Sequence, residues 1–252
     1  MRFLAVFLTF AITSSVAQAD RVTVFAAASL KNAMDEIGVA FEKKHAHSVV
    51  FNFAGSSQIA RQVIAGAPAD LLVTANTLWM DDVEKIGAIN SESRFDLASN
   101  QLVLASTQEQ TIRLDYESLQ RTLSGGRVAM ALVDAVPAGM YGKQALEHLG
   151  LWDALKPSII QADNVRAALR FLTLGETPLA IVYRSDLISE PRAFVAAIFP
   201  KESHPAIRYP AALTKKGIAS KAAVLFHAYL KSGDVQAILS RHGFLTIDGA
   251  KG

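Results

Sequence analysis

Short apolar, β-rich runs alternate with amphipathic helical stretches from Arg21 almost to the end of the chain. No other feature limits the fold as much. Strand candidates are Arg21–Phe25, Val49–Phe53, Asp70–Thr74, Leu102–Ala105, Val128–Leu132, Ser158–Gln161, Leu179–Val182, Phe194–Phe199 and Ile207–Leu213. Regular β–α alternation predicts an α/β fold with mostly parallel sheet covered by helices on both faces. Leu30, Ala33, Met34, Ile37 and Phe41 recur at helical spacing and put one apolar stripe on Ser29–Lys44. Ile59, Val63 and Ile64 do the same for a second helix with Gly66 as its C-cap, and Gly150 and Gly175 stop two later helices. Ala219–Ser232 and Asp234–His242 read as two helices with no strand between them.

Two of the strand-to-helix turns carry serine among small residues. One ends Val22-Thr23-Val24-Phe25-Ala26-Ala27-Ala28-Ser29, and the other lies in Phe53-Ala54-Gly55-Ser56-Ser57-Gln58. The first N–H groups of a helix lack intrahelical partners, and the helix dipole makes that end partly positive. A serine adds a hydroxyl, and small neighbours let an anion approach the backbone. Two such turns side by side form an uncharged anion cradle. For either serine alone, an ordinary N-cap is the commoner explanation, and it is the pair of turns that points to an anion.

The chain opens with Met1-Arg2, a short apolar stretch from Phe3 to Ile12 and Ala17-Gln18-Ala19, which reads as a cleavable secretory signal cut after Ala19. As an uncleaved anchor the stretch is short of the ~20 residues that span a bilayer. With no cysteine there is no disulfide, thiolate metal site or lipidated cysteine. Lys plus Arg number 25 against 23 Asp plus Glu, scattered rather than clustered, which argues against a nucleic-acid surface. His45 and His47 have metal-ligand spacing but sit among lysines after a helix, so a solvated loop is the expectation. Asp70 reads as a structural turn residue, since a carboxylate beside a dianion would repel it.

The β–α pattern alone fits one continuous sheet as well as two lobes; if there are two, the chain divides where Ser99-Asn100-Gln101 meets a new strand and again at the Pro-rich, charged stretch 200–210. Residues 20–101 and 200–252 then form lobe one, and residues 102–199 form lobe two. Ligands bind beyond the carboxyl ends of strands in such sheets, so both serine turns face the interlobe cleft.

Six segments in order resemble one family over nearly the whole chain after the signal. They are Val24-Phe25-Ala26-Ala27-Ala28-Ser29-Leu30, the Ser56 turn with Ala60-Arg61-Gln62, Ala65-Gly66-Ala67-Pro68-Ala69-Asp70-Leu71, Val136-Pro137-Ala138-Gly139-Met140-Tyr141, Asp163-Asn164-Val165-Arg166 and Ile181-Val182-Tyr183-Arg184-Ser185-Asp186. Together they resemble the periplasmic molybdate-binding proteins of ABC transporters.

The resemblance implies a two-lobed, type II-like binding protein whose lobes are mixed, mostly parallel sheets flanked by helices, with the ligand between them. It implies that Ser29 and Ser56 bind by side chain and amide, that Ala138 and Val165 each give a backbone N–H, and that the Tyr183 hydroxyl completes the shell. Molybdenum is then held only as its oxyanion, with no direct metal ligand, no cofactor and no catalysis. The implied partners are molybdate or tungstate and a membrane permease with its ATPase; a periplasmic monomer is expected. Pro137 suits a helix start and leaves the Ala138 N–H free, and Asp163 is expected to cap the helix carrying Val165. Two departures stand out. Ala131-Leu132-Val133-Asp134-Ala135 replaces the family's usual Gly-Asp-Pro-Glu, and Gly55 stands where serine is common.

Rival functions remain open at this level. A receptor for sulfate or a phosphonate shares the architecture. A serine hydrolase would use Ser29 or Ser56, but neither lies in a G-x-S-x-G elbow. A ligand-sensing domain of a transcription regulator is opposed by the export signal and the missing DNA-binding segment.

Overall fold

β1 (Arg21–Ala27) passes through a single 3₁₀ turn, Ala28–Leu30, into α1 (Lys31–Lys44). The computed structural model describes residues 20–247, so the expected signal segment lies outside the described residues. There follow β2 (Ser48–Ala54), α2 (Ser56–Ile64), β3 (Leu71–Val73), α3 (Thr77–Lys85) and β4 (Phe95–Ser99). The middle of the chain supplies β5 (Leu102–Ser106), α4 (Tyr116–Leu123), β6 (Val128–Ala131), α5 (Pro137–His148) and α6 (Trp152–Leu155). It continues with β7 (Ile159–Ala162), α7 (Val165–Thr173), β8 (Leu179–Tyr183), α8 (Arg184–Ile188) and β9 (Phe194–Ile198). β10 (Arg208–Leu213), α9 (Lys221–Tyr229) and α10 (Gly233–Arg241) come last.

The strands form two five-stranded sheets, ordered β2-β1-β3-β10-β4 and β7-β6-β8-β5-β9. In the first, β1 lies parallel to β2 and β3, whereas β10 is antiparallel to β3 and β4. In the second, β6 lies parallel to β7 and β8, whereas β5 is antiparallel to β8 and β9. One strand in each sheet thus opposes the other four, which is the mixed, mostly parallel, two-lobed arrangement expected. The chain crosses between sheets at Asn100–Gln101 and again between Phe199 and Ile207.

Side-chain alternation explains why helices cover both faces of the first sheet. Val22, Val24 and Ala26 point one way and pack with Met34, Ile37 and Phe41 of α1 and Phe226 of α9. Phe25, one residue out of phase, faces Ile59 and Val63 of α2 and Met80 of α3 on the opposite face. A strand buried on both faces must be apolar nearly throughout. Gly66, Gly150 and Gly175 all take positive φ after their helices, as C-capping glycines do.

Three local expectations need correction. β4 had no counterpart among the strand candidates. It is an edge strand, so only Leu97 and Ala98 of its residues are fully buried, and its polar members obscured it. Ile64, assigned to the apolar stripe of α2, is exposed; Ile59, Ala60 and Val63 carry that face instead. The cap of α7 is Asn164 and not Asp163, because the Asn164 side chain accepts from Ala167 N–H. Residues one apart cannot both reach the N3 amide, and Asn164 holds the extended geometry of an N-cap (φ −159, ψ 170).

Candidate functional site

The segments that leave the ends of β1, β2, β3, β6, β7 and β8 meet around one small cavity between the sheets. It is lined by Ala27, Ala28, Ser29, Gly55, Ser56 and Ala75 from one side and Val136, Pro137, Ala138, Asn164, Val165 and Tyr183 from the other. Both sides are thus strand-end turns, the usual ligand position in open α/β sheets. All five residues selected from sequence, Ser29, Ser56, Ala138, Val165 and Tyr183, line it together. The cavity volume is only about 10 Å³. That is far below the roughly 300–1,000 Å³ of a drug-sized pocket, so the turns close on a space with room for nothing larger than a single small ion.

No lining residue carries a charge at neutral pH, so the chemistry rests on dipoles and hydrogens. Four helix N-termini converge here: the 3₁₀ turn leading into α1, and the starts of α2, α5 and α7. Pro137 occupies the first position of α5, where its missing N–H costs nothing, and Ala138 offers the first free amide of that helix. Ser56 and Val165 open α2 and α7, so their amides have no intrahelical acceptor. Asn164 turns its side chain inward to cap Ala167 at 3.0 Å, which leaves the Val165 amide to the cavity.

The hydroxyls are arranged as donors. Ser56 Oγ accepts from the backbone N–H of Ala75 at 2.9 Å, so its own hydrogen is free for the cavity. Ser29 Oγ lies 3.1 Å from the Tyr209 hydroxyl. The Tyr183 hydroxyl is buried and has no hydrogen-bond partner among the described residues, an uncommon condition for a phenol. Burial pushes the Tyr183 phenol well above its usual pKa, and nearby Tyr209, Tyr141 and Asp186 add to the effect. It therefore stays neutral and keeps its hydrogen to give.

Contacts across the gap hold the two sides together. The Trp79 indole N–H on α3 donates to the Ala135 carbonyl, just before α5, at 2.7 Å. Arg166 on α7 donates to the Ser29 carbonyl at 3.3 Å. Its Nε also stands 2.7 Å from Asp186 Oδ1, off the line of a good hydrogen bond. The other Asp186 oxygen accepts from Tyr183 N–H at 3.0 Å. Burial lifts the Asp186 carboxyl to about 6, and Arg166 works against that rise. At Gly55 a Cβ would lie 2.7 Å from the Asp163 carbonyl oxygen and 3.2 Å from Val136. Gly55 has φ −60 and ψ 141, open to any residue, so its smallness serves this approach and not the backbone.

Asp70 lies away from the cavity; it accepts from Thr23 N–H at 2.8 Å and pairs with Lys216 at 2.9 Å, a structural role as expected. His45 caps α1 and packs its ring 4.6 Å from Phe41. Among the described residues no group of three or more His, Cys, Asp or Glu could hold a metal. Sequence reasoning missed Ala75, Trp79 and Tyr209. Their partners are 19, 56 and 180 residues away, and only the fold brings them together.

Residues 22–245 match the family model described as bacterial extracellular solute-binding protein. The chain is 40% identical over 243 residues to the molybdate-binding protein ModA of Escherichia coli strain K12, covering 94% of each. It is 33% identical over 234 residues to the protein of that name from Haemophilus influenzae, covering 91% of this chain and 92% of the other. The Azotobacter vinelandii periplasmic molybdate-binding protein superposes with a TM-score of 0.79, covering 90% of this chain and 100% of the other. At 24% identity that likeness speaks for the fold alone.

Proposed function

The chain belongs to the bacterial extracellular solute-binding protein family, and from that premise we propose that it is the exported receptor that captures molybdate, and tungstate with it, for an ABC importer. One observation carries the choice of ligand class: a small interlobe cavity ringed by amide and hydroxyl donors with no charged side chain in its wall. The reading assigns Ser29 and Ser56 as side-chain and amide donors, Ala138 and Val165 as amide donors and Tyr183 as a hydroxyl donor. It also assigns residues 20–101 and 200–252 to one lobe and 102–199 to the other. Removal of the signal after Ala19 releases a monomer into the periplasm.

Neutral donors suffice for a dianion when they are fixed in advance. A hydrogen bond to a charged group contributes roughly 1.5–3 kcal/mol. Five to seven of them can offset desolvation of the ion and still reach the −8 to −12 kcal/mol, approximately, of micromolar to nanomolar binding. Because donors come from both lobes, the anion favours the closed form, and closure is the event the permease and its ATPase read. A donor-only wall also disfavours phosphate, which keeps a proton at neutral pH and needs an acceptor. Sulfate has no such proton, so only the closeness of the walls separates it from the larger molybdate and tungstate.

The protein acts by binding and performs no chemistry on its ligand. Among the described residues neither serine has a histidine partner: Ser29 meets Tyr209 and Ser56 meets Ala75. Titration calorimetry of the ligand-stripped protein with molybdate, tungstate, sulfate and phosphate tests the proposal. Tight one-to-one binding of the first two, with the others weak, is expected. A preference for sulfate or phosphate would overturn the ligand assignment, and no heat with any of the four would overturn the receptor reading.

A further inference from the structure

Behind the cavity a buried polar chain runs from the first crossing between the sheets to Ser29. Asn100, Ser185 and Tyr209 are 6%, 2% and 0% exposed. The side-chain oxygen of Asn100 accepts from the backbone N–H of Gln101 at 2.9 Å, and a backbone amide can only donate. This fixes which end of the amide is which. The Asn100 NH₂ then spends its two hydrogens on Ser185 Oγ at 2.8 Å and the Tyr209 hydroxyl oxygen at 3.1 Å.

The sense of the next bond follows from that direction. The Tyr209 oxygen accepts from Asn100, and Ser29 Oγ at 3.1 Å is its one other hydrogen-bond partner among the described residues, so the buried phenol hydrogen goes unpaired unless Ser29 accepts it. Burial pushes the Tyr209 phenol far above its usual pKa, so the hydrogen is present at any physiological pH. Ser29 Oγ accepts from behind, and its own hydrogen faces forward. Ser56 reaches the same state by accepting from the Ala75 amide. The Ser56 arrangement uses backbone and cannot be reversed, whereas the Ser29 arrangement depends on two side chains.

We propose that Tyr209, oriented by Asn100, holds the Ser29 hydroxyl as an obligate donor and thereby makes the site select fully deprotonated tetrahedral dianions over one that carries a proton. The inference rests on the oxyanion-receptor reading. Neither residue touches the cavity, so both are positioning residues. They act on selectivity through the sense of a hydrogen bond and not through its presence.

Asn100→Asp is the direct test, because the carboxylate is nearly isosteric but can only accept. It takes the Tyr209 hydrogen, Tyr209 then accepts from Ser29, and a lone pair of Ser29 turns to the cavity. Competition titrations at mildly alkaline pH compare molybdate with inorganic phosphate, which is then the monohydrogen dianion. Both anions carry the same charge, so the new carboxylate repels them alike and leaves their affinity ratio to report the reversal. The molybdate-to-phosphate ratio is expected to fall about tenfold or more, the scale of one hydrogen bond to a charged group. Tyr209→Phe, which keeps the ring and frees the Ser29 rotor, is expected to lower the same ratio by a smaller factor. An unchanged ratio in both variants, whatever their absolute affinities, overturns the proposal. If wild type bound none of the anions, the receptor reading would fail instead.

Discussion

Ser56→Ala separates two jobs done by one oxygen. The hydroxyl is free to give its hydrogen to the cavity, and its oxygen accepts from the Ala75 amide at 2.9 Å. Removing the donor costs binding about 1.5–3 kcal/mol, a loss of roughly 10- to 150-fold in affinity for molybdate. Removing the acceptor strands the N–H of Ala75, a residue only 3% exposed, and leaving a buried donor unpaired costs about 1–3 kcal/mol of stability. For a chain of this size each kcal/mol moves the midpoint by about 2–4 °C, so the anion-free protein should melt roughly 2–12 °C lower. Calorimetric titration reads the first effect and thermal unfolding without anion reads the second. Unchanged affinity would refute Ser56 as a contact. An unchanged midpoint would refute the account of Ala75.

Gly55→Ala should move stability and affinity in opposite directions. The backbone there suits alanine, so the free protein should gain about 0.4–1 kcal/mol in denaturant unfolding. On the proposed reading that the anion draws the lobes shut, the added Cβ meets the Asp163 carbonyl in the closed form, and overpacking of about 1–3 kcal/mol should weaken molybdate binding about 5- to 150-fold; unaltered affinity would show that the approach at Gly55 is not part of the bound form. Trp79→Phe removes the bond to Ala135 but keeps an aromatic ring, so affinity should fall about 2- to 12-fold with anion-free stability unchanged. Equal losses of stability and affinity would make Trp79 a plain packing residue. Asp186 supplies a pH signature. Burial lifts its carboxyl to about 6, so just below that pH the folded protein keeps a proton that the unfolded chain has released. This group therefore adds stability at low pH and loses that contribution as pH rises through about 6. Urea unfolding of wild type and Asp186→Asn across that window should show the wild type falling relative to the variant, and a constant difference would contradict the assignment.

Where the signal was local, the sequence was readable. The stripe Leu30, Ala33, Met34, Ile37 and Phe41 marks one buried face, and every member is at most 1% exposed. The serine turns could be recognised because small residues, a hydroxyl and a following helix are neighbours in the chain. Ala138 and Val165 carry no side-chain signal, so only the resemblance pointed to them. β4 was hidden because an edge strand tolerates Asp96 and Ser99 among its apolar residues. The Asp163–Asn164 pair offered two capping side chains, and which one caps depends on a backbone angle that composition does not encode. The loss of a hydroxyl at Gly55 was visible, but the carbonyl that takes up the space comes from a different lobe. Tyr209 gave no sign at all, since its importance lies in a partner 180 residues earlier.

The convergence of four helix N-termini also says something about the receptor when it is empty. Each end carries a partial positive charge of about half a unit. Two come from each lobe, and no carboxylate lines the space between them. Shutting the lobes without an anion presses like charges together in a dry gap, and every donor loses the water it had in the open form. The same interior that would grip a dianion therefore works against closure when vacant, opposing the bonds from Trp79 to Ala135 and from Arg166 to Ser29. For an importer that responds to the shut shape, this repulsion would favour loaded receptors over unloaded ones.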